Sequence, residues 1–318
     1  MSVILKADDY LDNDVAYLLG MILMRGTFHV ERDIRRLIIQ FPYKSLEVKG
    51  ITGKKQEIDK ETFIRLSLDA TRNRIQELLE VDLQTTKHNR EVQLVAVFTR
   101  NTMSWRNLRT LLNNKNSYLE FEIPHVIFEA PEDIQKDFLR GIADTASNPN
   151  KADLDQLGAQ RIVIEFQHGN WVLPIQLCRL LQENLGIKVS HILWGHPNIR
   201  SPWDESKGKS WAKEHRMRIF AGDFAPIGYN FSYKQKMFEE LVTWNEKKGL
   251  AVTTKFCNPK IKKIRGGGKP KQKDEKDKSL PVAVRGHFDG YYQICQKLGC
   301  EQGCPSSQIE MFDEHDEY

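Results

Sequence analysis

The chain has 318 residues, 40% hydrophobic and 28% charged, a balance that excludes a fibrous or disordered protein and suffices for two domains of ordinary size. Its formal charge of +4 is too small to argue for nucleic acid by itself, so the placement of charge matters more than its sum. No apolar run approaches the roughly 20 residues needed to span a bilayer, and the first residues lack the layout of a secretion signal, so the expectation is a cytoplasmic protein with no membrane partner.

Asp12 or Asp14 is placed to cap a helix running to about Arg25, with Val15, Leu18, Leu19 and Ile22 apolar and Met21 and Leu23 filling other faces. A helix apolar on every side is buried on every side. Its one interior glycine, Gly20, costs about 1 kcal/mol relative to alanine, which suggests that another backbone comes very close there. Two short strands follow, at Thr27 to Glu31 and Arg35 to Tyr43. In the second, Leu37, Ile39 and Phe41 point one way and Arg36, Ile38 and Gln40 the other, the outline of a sheet with a core face and a face that meets something anionic. Helical spacing then runs from Asp59 to Leu83, with Leu66, Leu68, Ile75, Leu78 and Leu79 among its apolar positions. A strand at Glu91 to Phe98 and a short helix around Trp105, Leu108 and Leu111 close the first half. The polar run Asn113 to Ser117 reads as a seam, and Tyr118 to Ala130 is β-prone in part.

The second half repeats the plan. Pro131, Glu132 and Asp133 are helix-start signals, and the helix they open again carries one interior glycine, Gly141. Two such glycine-bearing helices are able to pack on each other, which makes the chain a pair of similar halves. A strand follows in which Ile162, Ile164 and Phe166 share one face and Arg161, Val163, Glu165 and Gln167 the other, with His168 in the turn after it. Next come a helix at Leu173 to Leu185 around a buried Cys178, a strand at Ile187 to Trp194, a polar loop and a strand reaching Phe220 with Arg216 and Arg218 on one face. The final helix, Tyr233 to Lys247, places Met237, Phe238, Leu241 and Trp244 in the core. Helix, two strands, helix, further strands and helix in each half is an α+β plan with helices on one face of an antiparallel sheet.

The expected organisation is residues 1–117 and 118–250 as the two halves, 251–280 as a basic linker or loop rich in glycine and lysine, and 281–318 as a small cysteine-containing appendage. Of the five cysteines, Cys295, Cys300 and Cys304 crowd this last segment, where His287 and the more distant Cys257 complete a possible set of zinc ligands. Their spacing is not that of a paired knuckle, and the competing reading buries Cys295 in a small apolar cluster.

Leu139 to Ser147, and Leu18 to Gly26 half the chain earlier, resemble the signature of the LAGLIDADG family, the homing endonucleases and their relatives. The similarity continues into the strands at Ile187 to Trp194 and Arg216 to Phe220. The resemblance implies a pseudo-two-fold pair of αββαββα halves, motif helices at the centre and two saddle-shaped sheets along the major groove of double-stranded DNA. A sheet fits that groove, where Arg and Gln pair with base edges and Lys and Arg neutralise phosphates. The candidate contacts are Arg32, Arg36, Gln40 and Lys44 in the first half and Arg161, Gln167, His168, Arg216 and Arg218 in the second. The family's catalytic carboxylates, which hold magnesium, stand at the penultimate motif position. Here those positions are Arg25 and Ala146, neither of which holds a metal; Asp144 matches the earlier, usually non-catalytic aspartate and is assigned a structural role, capping a helix end or pairing with Arg25. The expectation is therefore a DNA-recognition protein with a degenerate active site, suited to a restriction or defence system in which a separate nuclease or motor subunit acts. Two rivals stand beside it: an active magnesium-dependent nuclease using displaced carboxylates such as Glu31, Glu165 or Asp144, and an RNA-binding protein of the maturase kind.

Overall fold

The computed structural model describes residues 10–46, 60–88, 91–149, 153–154, 158–167, 170, 172–197 and 213–249. The first helix, α1 (Asn13–Arg25), begins where the Asp12 side chain accepts a hydrogen bond from the Val15 amide at 2.8 Å. Every residue from Val15 to Arg25 is buried, as its all-round apolar pattern requires. Gly26 is extended and starts β1 (Gly26–Glu31), which turns through Arg32, in the left-handed region at φ 51°, into β2 (Ile34–Pro42). After α2 (Tyr43–Leu46) come α3 (Lys60–Leu79), β3 (Leu83–Lys87), β4 (Glu91–Phe98) and α4 (Met103–Leu111). The helix expected to run to Leu83 ends at Leu79. Glu80 takes a left-handed φ of 53°, and Leu83 instead opens a strand opposite Ala96. Ile75, Leu79 and Leu83 keep four-residue spacing, so helical periodicity carries past the turn without a helix.

The first sheet is antiparallel in the order β1-β2-β4-β3. Burial alternates along β4: Val92, Leu94, Ala96 and Phe98 enter the core, and Glu91, Gln93, Val95 and Val97 stay half-exposed on the other face. Leu37, Ile39 and Phe41 do the same on β2. Trp105 of α4 packs edge-on to Phe28 at 5.2 Å and near Phe98 at 5.1 Å, closing this core. The seam then lies along β1, where Asn116 and Gly26 carbonyls accept from the Phe28 and Tyr118 amides at 2.7 and 3.1 Å.

The second half holds α5 (His125–Glu129), α6 (Glu132–Ala146), β5 (Asp153–Leu154), β6 (Gln160–Gln167), α7 (Val172–Arg179) with a π-helical turn at Leu180–Asn184, β7 (His191–Pro197), β8 (Lys213–Phe220), α8 (Ala221–Phe224) and α9 (Ser232–Lys247). Its sheet is antiparallel in the order β5-β6-β8-β7, the same order as the first. The β-prone stretch before Ala130 forms the short helix α5, and the strand expected from Ile187 begins at His191.

Trp244 is a correction: it is 40% exposed rather than core, with the Lys248 ammonium 5.4 Å from its ring centre. The inward stripe of α9 runs through Lys234, Met237, Phe238 and Leu241 and reaches Asn245, which leaves Trp244 on the flank. Asn245 is fully buried and its amide serves both backbone groups of Gln160, accepting from the amide at 2.7 Å and donating to the carbonyl at 2.9 Å. Asn245→Leu strands those two groups at the start of β6, and chemical denaturation should record a loss of about 2 to 4 kcal/mol. No helix among the described residues is long and apolar enough to cross a membrane.

Candidate nucleic-acid interface

The helices α1 and α6 pack directly on one another, and the reason they approach so closely lies in their glycines. A Cβ added at Gly20 would fall on the carbonyl oxygen of Phe138 and 3.0 Å from the Ile142 nitrogen. A Cβ at Gly141 would fall on the carbonyl oxygen of Tyr17 and 3.1 Å from the Met21 nitrogen. Each glycine therefore admits the backbone of the other helix. At one end of the seam Asn13 donates to Asp137 at 2.6 Å, and Asp137 also accepts from Arg140, whose Nε reaches the Ile227 carbonyl at 2.8 Å.

At the other end the motif aspartate is enclosed. Asp144 is fully buried, and its carboxylate accepts from the Tyr17 hydroxyl at 2.8 Å and from the Asn230 and Phe231 amides at 3.2 Å each. It thus ties α1, α6 and the entry to α9 together. Lys234, also fully buried, donates to the carbonyls of Asp144 and Ser147 at 2.7 Å each, capping the last turn of α6 with a cation where the helix dipole is negative. Burial pushes the Asp144 carboxyl up to about 6, against the opposing pull of the Lys234 charge and the Tyr17, Phe231 and Asn230 hydrogen bonds. Burial brings the Lys234 ammonium down to about 7, and the Asp144 charge works against that fall. Burial likewise raises the Tyr17 hydroxyl, with the Asp144 charge adding to the effect. The final residues of the two helices, Arg25 and Ala146, are each 3% exposed.

The first sheet turns its other face outward. Its register sets side chains in rows across the strands: Thr86, Gln93 and Gln40; then Gln84, Val95, Ile38 and Thr27; then Val97, Arg36 and His29. The first of these rows lies nearest the end of α1, because Gly26 pairs with Ile39. Arg36 is 43% exposed at its side chain and lies 4.0 Å from Glu31. On the second sheet Glu165 pairs across the ladder with Arg216, with 3.4 Å between Oε1 and Nη2. Arg161 sits over the Phe220 ring at 5.9 Å, and Arg161 and Glu165 are each only 8% exposed. The two sheets share their strand order, and the glycine-bearing helices meet at the centre.

Paired glycine-bearing helices and two antiparallel sheets of like strand order are the plan that the LAGLIDADG resemblance implies.

No protein-family model and no curated protein matches the sequence. Among solved structures, the chain is similar to the homing endonuclease I-DmoI in complex with DNA and Mn, at 16% identity over 70% of this chain and 97% of that one, with a TM-score of 0.35. It is also similar to full-length WhiA from Thermatoga maritima, at 12% identity over 75% of this chain and 65% of that one, with a TM-score of 0.38. The N-terminal LAGLIDADG domain of WhiA matches at 12% identity over 76% of this chain and 90% of its own, with a TM-score of 0.36.

On this scaffold the sequence candidates divide. Arg36 and Gln40 share the outward face of the first sheet, and Arg32 stands in the turn at its far end. Gln167 and Arg218 are half-exposed on the second sheet, whereas Arg161 presents little surface and Arg216 is occupied with Glu165. The Lys44 side chain and His168 lie outside the described residues, as do Cys257, His287, Cys295, Cys300 and Cys304. Among the described residues no group of three or more His, Cys, Asp or Glu is placed to hold a metal ion. The strand β4 is legible in the sequence, whereas its polar face, Glu91 and Gln93, is not among the candidates although the alternation marks it. Lys234 is likewise absent from them, although its helical spacing with Met237 and Phe238 marks it.

Proposed function

We propose that the chain is a sequence-specific double-stranded DNA-binding protein that uses a LAGLIDADG-like scaffold without cutting DNA itself. The observation that carries this reading is the end of the seam. Metal-assisted phosphodiester cleavage needs oxygen ligands for a hard cation, and the helices end in Arg25 and Ala146. The one motif carboxylate, Asp144, is buried with both oxygens engaged. The displaced candidates fare no better: Glu165 sits against Arg216, and Glu31 is 77% exposed at its side chain near the far end of the β1–β2 hairpin.

The outward face of the first sheet supports recognition. A face that merely meets water carries many charges. The middle of this one carries the amides of Gln40, Gln93 and Gln84 around Ile38 and Val95, flanked by Arg36. Amides and guanidinium groups hydrogen-bond base edges, and aliphatic side chains meet thymine methyl groups, in a major groove about 12 Å wide that admits a β-ribbon. Such a module suits the recognition part of a restriction or defence system whose nuclease or motor is a separate protein.

Titration of labelled duplex at increasing salt tests the reading. Affinity should fall linearly with salt on logarithmic axes, and duplex DNA should be preferred over folded RNA by roughly tenfold or more. Equal or tighter binding to folded RNA would instead support the maturase-like reading.

A further inference from the structure

The first sheet carries a more specific message than general DNA affinity, and it rests on the DNA-binding reading above. Gln40 and Gln93 stand directly opposite each other in the row nearest the central helices. Gln93 Nε2 donates to Glu91 Oε1 at 2.6 Å, which fixes the plane of its amide. That bond uses one of the two amide hydrogens. The other hydrogen and the carbonyl oxygen remain, the donor and acceptor needed for adenine N7 and N6 in a bidentate pair. One row outward, Ile38 opposes Val95 between Gln84 and Thr27, an aliphatic pair with the right chemistry for thymine methyl. Two rows outward Arg36 opposes Val97, and its 4.0 Å separation from Glu31 leaves the guanidinium loosely held.

We propose that the paired amides Gln40 and Gln93, with Glu91 as positioning residue, make the first half of the protein select A·T base pairs next to the centre of its site, with guanine read farther out by Arg36. The geometry also sets a spacing. Four residues of β2 separate Gln40 from Arg36, about 13 Å at roughly 3.3 Å per residue, or about four steps of a duplex rising roughly 3.4 Å per base pair. No comparable pair of amides occupies the outward face of β6 and β8, where Glu165 and Arg216 face each other. The half-site read by the first sheet is thus richer in A·T than its counterpart.

Selection of duplexes from a randomised pool by the full chain, followed by sequencing, tests this together with the variants Gln93→Ala, Gln40→Ala and Glu91→Ala. The expected result is an A·T block beside the site centre and a G·C pair about four base pairs outward. Gln93→Ala and Gln40→Ala should each lower discrimination at the A·T block by about tenfold to a hundredfold while leaving other positions unchanged. Glu91→Ala should relax the preference at the Gln93 position alone while affinity for non-specific duplex holds or rises, because a carboxylate facing phosphate is removed; a merely structural role would lower both. A selected site whose central preference is G·C, or is unmoved by all three variants, overturns the inference and leaves the DNA-binding reading intact. Failure of the wild-type chain to enrich any sequence overturns both.

Discussion

Alanine at Gly20 or Gly141 will destabilise the protein by about 3 kcal/mol or more, even though alanine is the better helix former by about 1 kcal/mol. The two effects oppose each other, and the structure decides between them. Each new methyl lands on a backbone carbonyl of the facing helix, at Phe138 or at Tyr17. A side chain can change rotamer to relieve such a clash; a helical backbone cannot. The helices must separate, and separation loosens the packing of α1, whose residues from Val15 to Met24 are all buried. At about 2 to 4 °C per kcal/mol for a chain of this order, the melting temperature should fall by about 6 to 12 °C. Because the first methyl already parts the helices, the double variant Gly20→Ala/Gly141→Ala should lose less than the sum of the singles. Singles that melt with the wild type would show that the helices do not meet at these glycines.

Removal of the Lys234 ammonium is the second large effect. Lys234→Met leaves the Asp144 carboxylate buried with no cation facing it, and leaves the carbonyls of Asp144 and Ser147 without their donor. Breaking one side of a buried charge pair typically costs about 3 to 5 kcal/mol, whereas replacing both sides is often nearly neutral. Lys234→Met should therefore be severe, and Asp144→Asn/Lys234→Met should recover only the part owed to the buried charge, because the two carbonyls stay without a donor and an amide accepts at one of its two positions only. The pH dependence follows from both shifts. Asp144 is raised from its ordinary 3.8 to about 6, so its contribution is present below about 3.8 and lost as pH rises through about 6. Lys234 is lowered from 10.5 to about 7, so its contribution is present above about 10.5 and lost as pH falls through about 7. The stability of the wild type relative to the double variant should thus be lowest at about pH 6 to 7 and rise on either side. Tyr17 of α1, Tyr229, and Tyr233 at the start of α9 also face this centre, with Arg74 of α3 over the Tyr17 ring at 4.5 Å, and the subtraction removes what they contribute in common. A difference that does not change with pH would mean that neither group is held as described.

What the sequence disclosed, and what it hid, follows from the range of the interactions involved. Apolar positions on every side of α1, and a glycine in each of two otherwise apolar helices, are local signals, and the packing of α1 on α6 was legible from them. The alternation of Leu37, Ile39 and Phe41 likewise placed β2 with its core face correctly. β3 was hidden because Leu83 continues a helical spacing across a turn at Glu80, which local periodicity does not distinguish from more helix. Lys234 was hidden for a different reason. A lysine reads as surface unless its partner is known, and the groups that hold it, Asp144 and Ser147, come from the opposite end of the second half. The candidate site was legible in the same uneven way. Arg36 and Gln40 follow from alternation within one strand, whereas the burial of Arg161 and the pairing of Arg216 with Glu165 depend on which strand lies beside β6, and that is a matter of topology.

On the proposed reading the scaffold binds DNA and leaves it whole. The most direct test mixes the full chain with a supercoiled plasmid carrying its selected duplex, in magnesium and separately in manganese, and follows binding and strand cleavage in the same samples. The plasmid should be bound and remain supercoiled in both metals. Nicked or linear product at the selected site, abolished by Asp144→Asn, would contradict it.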